Sequence, residues 1–533
     1  MRVFGKRSLF LPHSSSIMSM NMGPIYPALV REMYPGDKII ISHEALLRAA
    51  PMLFPPYSPV KMTFDYFFNE NRNVWNDDKN ADWSTFFTAS KNGKAIDNPD
   101  DLPEHPYIVV PEGGFKTSSL ADYLGFSTEP ALAGAKVSAM RFRHYQKIVS
   151  DFYADENFST MPVIGYGEGL DTTTSFELFQ RCWNKDRFTT AALEPQKGIS
   201  VGIPLAGDIP VIGNGMTLGL TNGTDYAGLT GGNDSLLTTV KNRYGANVKD
   251  GGTPTWDAYL KNSNIGVTAD PTKSGLIADT SAVEPIPIDE LHFLTQVERL
   301  QQRDGMWGTR DFECIRTQFG VCVPDTRLQR ATHLGRSVVD VHFSEVLQTS
   351  QSTENSAQGT ISGHTIAVDA GHPVRYSCVE HGFLFVMVNI QPIAQYQQGI
   401  PRDALYQTRY DYMWPVLSET GEQELYSAEV YATRDNVESR KIFGFEPRYN
   451  HLRFGEKTVH GDFRGNLSGY HLGRIFTSEP NLNENFIKAD PTKRCFAVEL
   501  QNVDAFWLRM EFNIKHVRRL PKWPTPSAIG KIF

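Results

Sequence analysis

The most constraining feature of this sequence is a two-residue alternation of apolar and polar side chains near both of its ends. Near the C-terminal end, Leu508, Met510, Phe512 and Ile514 are separated by single charged or polar residues. A second alternating segment runs from Val60 to Phe68. Because a period of two places every other side chain on the same face of a strand, each segment predicts a β-strand with one buried face.

Further segments have the composition of strands. Phe383–Ile390 is almost entirely apolar, which is typical of a strand buried on both faces. Val338–Val346 and Arg494–Leu500 are also predicted as strands. Since these segments are spread along the chain, they must pair non-locally, as strands do in sandwiches and jelly rolls. The predicted core includes Val60, Phe64, Phe383, Phe385, Leu508, Met510 and Phe512.

Helices are predicted to be few. Ser119–Leu124 has the pattern of a short helix that Gly125 ends. Val137–Tyr153 carries apolar residues at helical spacing. So does a segment from Ile288 to about Gln302, which is expected to end before Gly305.

A glycine-rich segment divides the chain. Fifteen of the 43 glycines fall between Gly198 and Gly275, where the hydrophobic periodicity is poor. So long an irregular stretch is usually an insertion with a function of its own. The sequence therefore predicts three parts: residues 1–197 and 288–533 form the two parts of one jelly roll, and 198–287 forms an inserted surface protrusion.

Composition and charge narrow the class of protein. Hydrophobic residues make up 40% of the 533 positions, which is enough for a sizeable core. The net charge of −8 argues against a dedicated nucleic-acid-binding protein, because such proteins carry a basic excess. The five cysteines are scattered, which predicts reduced thiols in a protein made in a cytosol. There is no apolar run of 18 residues, so no membrane insertion is expected.

The sequence offers no constellation of catalytic or metal-binding residues. His364, His372, His381 and Cys378 are the best metal candidates, but only Cys378 and His381 have the spacing of a zinc-ligand pair. The loop at Gly165–Gly169 lacks the context of a phosphate-binding loop. We therefore predict no enzyme, no cofactor and no metal site.

Two basic clusters remain as candidates for contact with nucleic acid. Arg141 and Arg143 lie on a predicted helix, where ion pairing within the fold is the favoured interpretation. The second cluster follows the last predicted strand and runs into a proline-rich tail. Basic residues beside aromatic ones can hold single-stranded nucleic acid through phosphate contacts and stacking. The candidates for facing nucleic acid in this cluster are Lys515, Arg518, Arg519 and Lys522.

The chain resembles the major capsid protein of the microviruses, small icosahedral bacteriophages with single-stranded DNA, and above all their gokushovirus-like branch. Similar stretches run nearly from end to end. They are MGPIYP at 22–27, PGDK at 35–38, RAAPML at 48–53, FDYFF at 64–68, ADYLG at 121–125, WNKDRF at 183–188, DTRLQR at 325–330, SEVLQTS at 344–350, EHGF at 380–383, YQQGIPR at 396–402, GFEPRY at 444–449 and HLGRIF at 471–476.

The resemblance implies an all-β fold, a single eight-stranded viral jelly roll with long loop insertions and a few short helices. It implies a T=1 icosahedral shell of 60 copies around single-stranded DNA. The implied partners are a small basic DNA-packaging protein, a minor or pilot protein and a host surface receptor. The implied location is the virion, after synthesis in the cytoplasm of a bacterial host.

Two other classes of β-sandwich are compatible with the residues taken alone. A carbohydrate-binding module or tail-spike-like host-recognition protein needs aromatic and Asp or Asn residues on loops, and Tyr226, Asn233, Asp234 and Trp256 lie in the insertion. A glycoside hydrolase needs two carboxylates about 5–10 Å apart across a cleft. The resemblance to the microviruses implies a closed particle roughly 250–300 Å across. Observing such a particle would distinguish a capsid protein from both of these classes.

Overall fold

The computed structural model describes residues 7–77, 82–88, 90–91, 94–95, 102–198, 288–306, 310–347, 361–497 and 503–522, together with short strands between 199 and 287. Numbered along the chain, the strands are β1 Ser8–Phe10, β2 His13–Met20, β3 Tyr26–Met33, β4 Lys38–Ala49, β5 Val60–Glu70, β6 Ser90–Lys91, β7 Lys94–Ala95, β8 Tyr107–Val109, β9 Lys136–Ser138, β10 Val211–Gly213, β11 Gly219–Thr221, β12 Tyr226–Gly228, β13 Gly266–Val267, β14 Leu276–Ala278, β15 Thr332–Val341, β16 Phe343–Leu347, β17 Ile361–Ala370, β18 Val374–Ser377, β19 Gly382–Pro392, β20 Glu422–Tyr426, β21 Ile442–Pro447 and β22 Phe506–Arg518.

The α-helices of the described residues are mostly short. They are α1 Trp83–Thr88, α2 Leu120–Tyr123, α3 Met140–Phe152, α4 Ile288–Met306, α5 Asp311–Phe319, α6 Ser427–Val430, α7 Arg434–Ser439 and α8 Glu484–Ile487. Within the described ranges, none of these helices is long and apolar enough to cross a membrane.

Two antiparallel sheets form the centre of the molecule. One sheet has the order β15-β5-β19-β3. In the other sheet β22 lies between β2 and β4, and β4 pairs in turn with β17 and β18. Along the chain the long strands alternate between the sheets, except that β5 and β15 are neighbours in one sheet. This strand order is that of an eight-stranded jelly roll, so the predicted fold class is confirmed.

Strand β22 has the one-sided burial that its sequence predicts. From Phe506 to Val517, buried side chains alternate with exposed or partly exposed ones. Leu508, Met510 and Phe512 are at most 1% exposed. The apolar face of β22 therefore packs inward, and its charged face points to solvent.

Strand β5 departs from the prediction because both of its faces are buried. Phe67 packs against α3 and the segments around it, on the side of the sheet that the alternation assigns to solvent. On the same face the carboxylate of Asp65 accepts hydrogen bonds from Arg336 at 2.6 Å and from the Tyr153 hydroxyl at 2.7 Å. Burial alone would raise the pKa of Asp65, but hydrogen bonds from His333 and Arg336 bring it down to about 2.

The main core lies between the two sheets. Six of the seven predicted core residues are at most 1% exposed, and the seventh, Phe383, is partly buried. Phe383 and the fully buried Phe385 instead pack in the second core under α3. In that second core Phe142, Tyr145 and Ile148 of α3 are fully buried. The Tyr145 hydroxyl donates to the carbonyl of Ile25, 2.7 Å away, which links the helix to the loop before β3.

The chain divides into two compact units, residues 198–301 and the remainder. In the first unit β10 pairs with β14, and β11 pairs with β12 and β13, all antiparallel. Most of the predicted insertion at 198–287 lies outside the described residues, so its role as a protrusion stays a prediction.

Some predictions of local structure are wrong. Val137 lies in β9 rather than in the predicted helix, which begins at Met140. The described part of Arg494–Leu500 is a turn rather than a strand, because the Arg494 side chain donates to the carbonyls of Ser468 and His471 and holds that segment in a loop. Helix α4 also continues through Gly305 to Met306. A single glycine costs a helix only about 1 kcal/mol, which neighbouring turns can offset.

Candidate assembly and nucleic-acid surfaces

Strand β22 places the four predicted DNA-facing residues in different surroundings. Lys515 lies on the exposed face of the strand. Arg518 has the same parity as the inward-facing residues, and its side chain is 24% exposed. Arg519 and Lys522 are exposed beyond the end of the strand. The structure therefore separates Arg518 from the other three.

Arg518 belongs to a buried polar cluster around Asp37, which is 2% exposed. The Asp37 carboxylate accepts hydrogen bonds from Arg518 Nε at 2.9 Å and from His516 Nε2 at 3.0 Å. Because Nε2 of His516 donates, its Nδ1 can accept from Arg31 Nε, 3.4 Å away. Burial, and next the Arg518 charge, lower the pKa of His516. The Arg518 guanidinium also lies 5.0 Å from the ring centre of Tyr34. This arrangement gives Arg518 a structural role.

Lys515 lies in a groove on the solvent face of the larger sheet. Its cross-strand partner on β4 is Ile40, and the partner of Ile40 on β18 is Arg375. Lys515 and Arg375 are thus two strands apart in one row, and both are exposed. The groove has a volume of about 510 Å³. The lining residues of this Lys515 groove are Leu11, Pro12, His13, Ile40, Ser42, Pro373, Arg375, Asn513, Ile514 and Lys515.

Sequence reasoning missed Arg375 and His13 because neither lies in a basic run. Each is separated from Lys515 by more than a hundred residues, and only the pairing of β2, β18, β4 and β22 brings them together. Two cations beside apolar groove walls can bind a phosphate group with an attached ring.

The exposed residues on this face of the larger sheet change from charged to apolar along β22. Glu511 and Glu44 are cross-strand partners two residues from the groove. Beyond them the face becomes apolar: Ile17 is 83% exposed, Val368 is 68% exposed and Trp507 is 45% exposed. Exposed apolar area of this kind is typical of a surface that another protein covers.

A second exposed apolar surface lies on the loop at 406–417. Tyr412 is 61% exposed and Val416 is 87% exposed. The loop is nevertheless held firmly, because the Asp411 carboxylate accepts from the backbone N–H groups of Gln407 and Thr408 at 2.8 and 2.7 Å. Rigid loops that present Tyr, Trp and Met are common at protein–protein interfaces.

In the other basic cluster Arg143 forms the predicted internal ion pair, whereas Arg141 is partly exposed and donates to the carbonyl of Leu124. Arg143 donates to the carboxylate of Asp171 at 2.7 Å, and both side chains are at most 1% exposed. Asp171 also accepts from the hydroxyl of Thr174, whose oxygen in turn accepts from the N–H of Gly165. The glycine-rich loop at 165–169 is therefore folded around this ion pair.

Two of the metal candidates, Cys378 and His381, have local partners. The Cys378 thiol donates to the carbonyl of Glu380 at 2.8 Å, and burial raises its pKa to about 12. The ring of His381 lies 4.2 Å from that of Phe87. Across the described ranges, no three His, Cys, Asp or Glu side chains come together as metal ligands.

A jelly roll with exposed apolar surfaces is an architecture of viral capsid subunits. Comparison with known proteins identifies the family. A family model described as "Capsid protein (F protein)" matches residues 5–528, and the chain belongs to this family.

Individual relatives agree over nearly their whole length. The chain is 31% identical over 523 residues to capsid protein VP1 of Bdellovibrio phage phiMH2K, which covers 95% of this chain and 92% of the relative. It is 28% identical to capsid protein VP1 of Chlamydia phage 1, covering 98% and 96%. It is 27% identical to capsid protein VP1 of Spiroplasma virus 4, covering 98% and 95%.

The resemblance to the microvirus capsid protein is confirmed by these matches. The chain is a bacteriophage capsid protein, a structural component of the virion that assembles with copies of itself, and it is not an enzyme. Neither the carbohydrate-binding nor the tail-spike alternative is supported.

Proposed function

We propose that 60 copies of this chain form a T=1 shell around single-stranded DNA, and that the Lys515 groove faces the genome. The observation that carries the second part is the row in which Lys515 and Arg375 flank Ile40. Cations on a rigid sheet lose little freedom on binding a phosphate. Apolar walls beside them can contact a base.

The net charge of the chain limits how much of the genome's charge the groove can neutralise. Sixty chains at −8 carry about 480 negative charges, and the cargo is itself a polyanion. A few cations per subunit can order the packaged DNA locally but do not neutralise it. The genome therefore needs a small basic packaging protein or free cations as counter-charge. A minor or pilot protein, a host receptor and synthesis in the bacterial cytoplasm complete the proposal.

The test compares two double variants with the same loss of charge. Lys515→Ala with Arg375→Ala removes the groove cations, whereas Lys116→Ala with Arg434→Ala removes two other exposed cations. The groove variant is expected to form shells in normal yield with a lower ratio of filled to empty particles on a density gradient. An unchanged ratio overturns the genome-facing role of the groove.

A binding measurement gives a second readout. Affinity of the unassembled chain for a single-stranded oligonucleotide is measured against salt concentration. For each phosphate that a variant no longer binds, the slope of log K against log salt is expected to fall by about 0.7. The groove variant should therefore have a slope about 1.4 smaller than that of the parent. The control variant should keep the parent slope.

A further inference from the structure

A second cavity, away from the Lys515 groove, has no place in the function proposed above. It has a volume of about 420 Å³, within the range of small-molecule sites. Its walls come from residues 185–188, 394–401 and 454–464, with Glu429 and His451. We call it the Tyr396 cavity.

The walls of the Tyr396 cavity are largely aromatic and apolar. The rings of Phe188 and Tyr396 meet edge to face with centres 4.8 Å apart. Ile400, Pro401 and Phe454 also line the space. The Tyr396 hydroxyl donates to Asp186, 2.9 Å away, which fixes the ring. A rigid aromatic wall of this kind suits a flat ring as ligand.

Three buried polar atoms of the lining have no hydrogen-bond partner among the described residues. They are Oε1 of Gln397, Nδ1 of His451 and Oε2 of Glu429, and only the last of these has an ion-pair partner, Arg187. The other ring nitrogen of His451 lies 2.9 Å from the Tyr406 hydroxyl. Burial, and then the charges of Arg187 and Arg402, lower the pKa of His451 to about 4, so the ring is neutral near pH 7. A neutral ring leaves Nδ1 one hydrogen-bonding role to fill.

The remaining charges divide between the floor and the mouth. At the floor, the Glu429 carboxylate is compensated by ion pairs with Arg187 and Arg402. The residues at 456–464 are mostly exposed, and among those that line the cavity the cations Lys457 and Arg464 outnumber the anion Glu456, whereas Asp462 of the same segment does not line it. An anionic group at the mouth is therefore favoured over a cation.

We propose that the Tyr396 cavity binds a nucleotide. The base packs against Phe188 and Tyr396, its amino group donates to Oε1 of Gln397, and its phosphate lies near Lys457. Aromatic packing and hydrogen bonds to the base edge are how proteins hold single unstacked bases. The ligand is either a free nucleotide or one residue of a DNA strand.

The test uses the full-length, unassembled chain and titrates it by calorimetry with dAMP, with inorganic phosphate and with an eight-residue oligo(dA). We expect dAMP or the oligonucleotide to bind at least tenfold more tightly than phosphate. Whichever of the two binds identifies the source of the nucleotide. Lys457→Ala should weaken this binding several-fold, and the matched Lys116→Ala should not.

Gln397→Leu tests the base contact and should weaken dAMP or oligonucleotide binding while leaving phosphate binding unchanged. Lys457 is exposed, so its variant remains informative even if Gln397→Leu does not fold. The proposal is overturned if neither dAMP nor the oligonucleotide binds at millimolar concentration, or if Lys457→Ala and Lys116→Ala bind alike. Because no shell is needed, this result is independent of the filled-to-empty ratio that tests the Lys515 groove.

Discussion

Parity along β22 decides what each of its basic residues does. Lys515 falls on an odd position and shares the solvent face with Arg509 and Asn513. Arg518 falls on an even position and reaches Asp37, as His516 does. The sequence holds this information, since a strand that buries Leu508 also turns residue 518 to the same side. An interpretation that treats the basic run as one cluster misses that Lys515 and Arg518 face opposite sides of the sheet.

Arg518→Ala is therefore expected to destabilise the chain. It removes one partner of a carboxylate that is 2% exposed, and the loss of a charged hydrogen bond there costs about 1–3 kcal/mol. The measurement is chemical unfolding of the unassembled chain. Lys515→Ala, three residues away on the solvent face, serves as the control and should unfold like the parent. Equal unfolding of the two variants contradicts the structural role of Arg518.

Glu422 is a partly buried carboxyl whose ionisation opposes folding. Burial, and then the nearby Glu446 charge, raise its pKa from 4.5 to about 7. The folded chain therefore keeps this proton up to about pH 7, whereas the unfolded chain releases it near 4.5. The contribution of Glu422 to stability is fully present below pH 4.5 and is lost as the pH rises through 7.

Glu422→Gln removes this dependence because an amide does not ionise. The unfolding free energy of the variant should exceed that of the parent more at pH 8 than at pH 6. Thermal unfolding across that pH range measures the difference. Glu424→Gln, at the exposed neighbour on the same strand, is the control for the loss of a carboxylate that is not buried. A constant difference for Glu422→Gln would contradict the prediction.

At the scale of elements, the alternating strands are predictable from the sequence and the layer outside them is not. The pattern of β22 follows from local side-chain order alone. In β5, Asp65 and Phe67 belong to a face that α3 covers, although a polar residue at such a position usually indicates solvent. The ion-pair partner of Asp65, Arg336, lies 271 residues further along the chain. Local periodicity holds no record of so distant a contact.

Helix α3 should consequently contribute to the stability of the jelly roll itself. Phe142→Ala removes a fully buried ring from the second core, and such truncations cost about 3–5 kcal/mol. Ser150→Ala, on the partly exposed side of the same helix, is the control. Comparing their unfolding midpoints tests the prediction. A small decrease for Phe142→Ala would mean that the helix is only loosely attached.

At the scale of the whole molecule, the compact unit at 198–301 bears on the predicted insertion. We expect a chain in which 198–287 is replaced by a short flexible linker to fold and form shells, because both sheets of the sandwich lie outside that range. The same shells should lose adsorption to the host, which a binding assay measures. A linker of the same composition inserted without the deletion is the control. Failure to fold contradicts the assignment of 198–287 as an insertion.

The Lys515 groove and the Tyr396 cavity show where prediction from this sequence stops. Lys515 is predictable because it stands in a basic run, but Arg375 joins it only through the pairing of β18 with β4. The cavity combines Phe188, Tyr396 and His451 from three separate loops. Strands can be predicted from the local sequence, whereas sites depend on which distant segments the fold brings together.

The position of β22 also determines when the larger sheet can close during synthesis of the chain. Met18 and Met20 of β2 pair with the first residues of β22, and the side chains of Ser19 and Asp504 meet across 485 positions of sequence. A nascent chain holds β2 and β4 for most of its translation without the strand that lies between them. The larger sheet closes only when the ribosome has added residues 506–518. We expect prematurely terminated chains, which lack that strand, to be excluded from the shell.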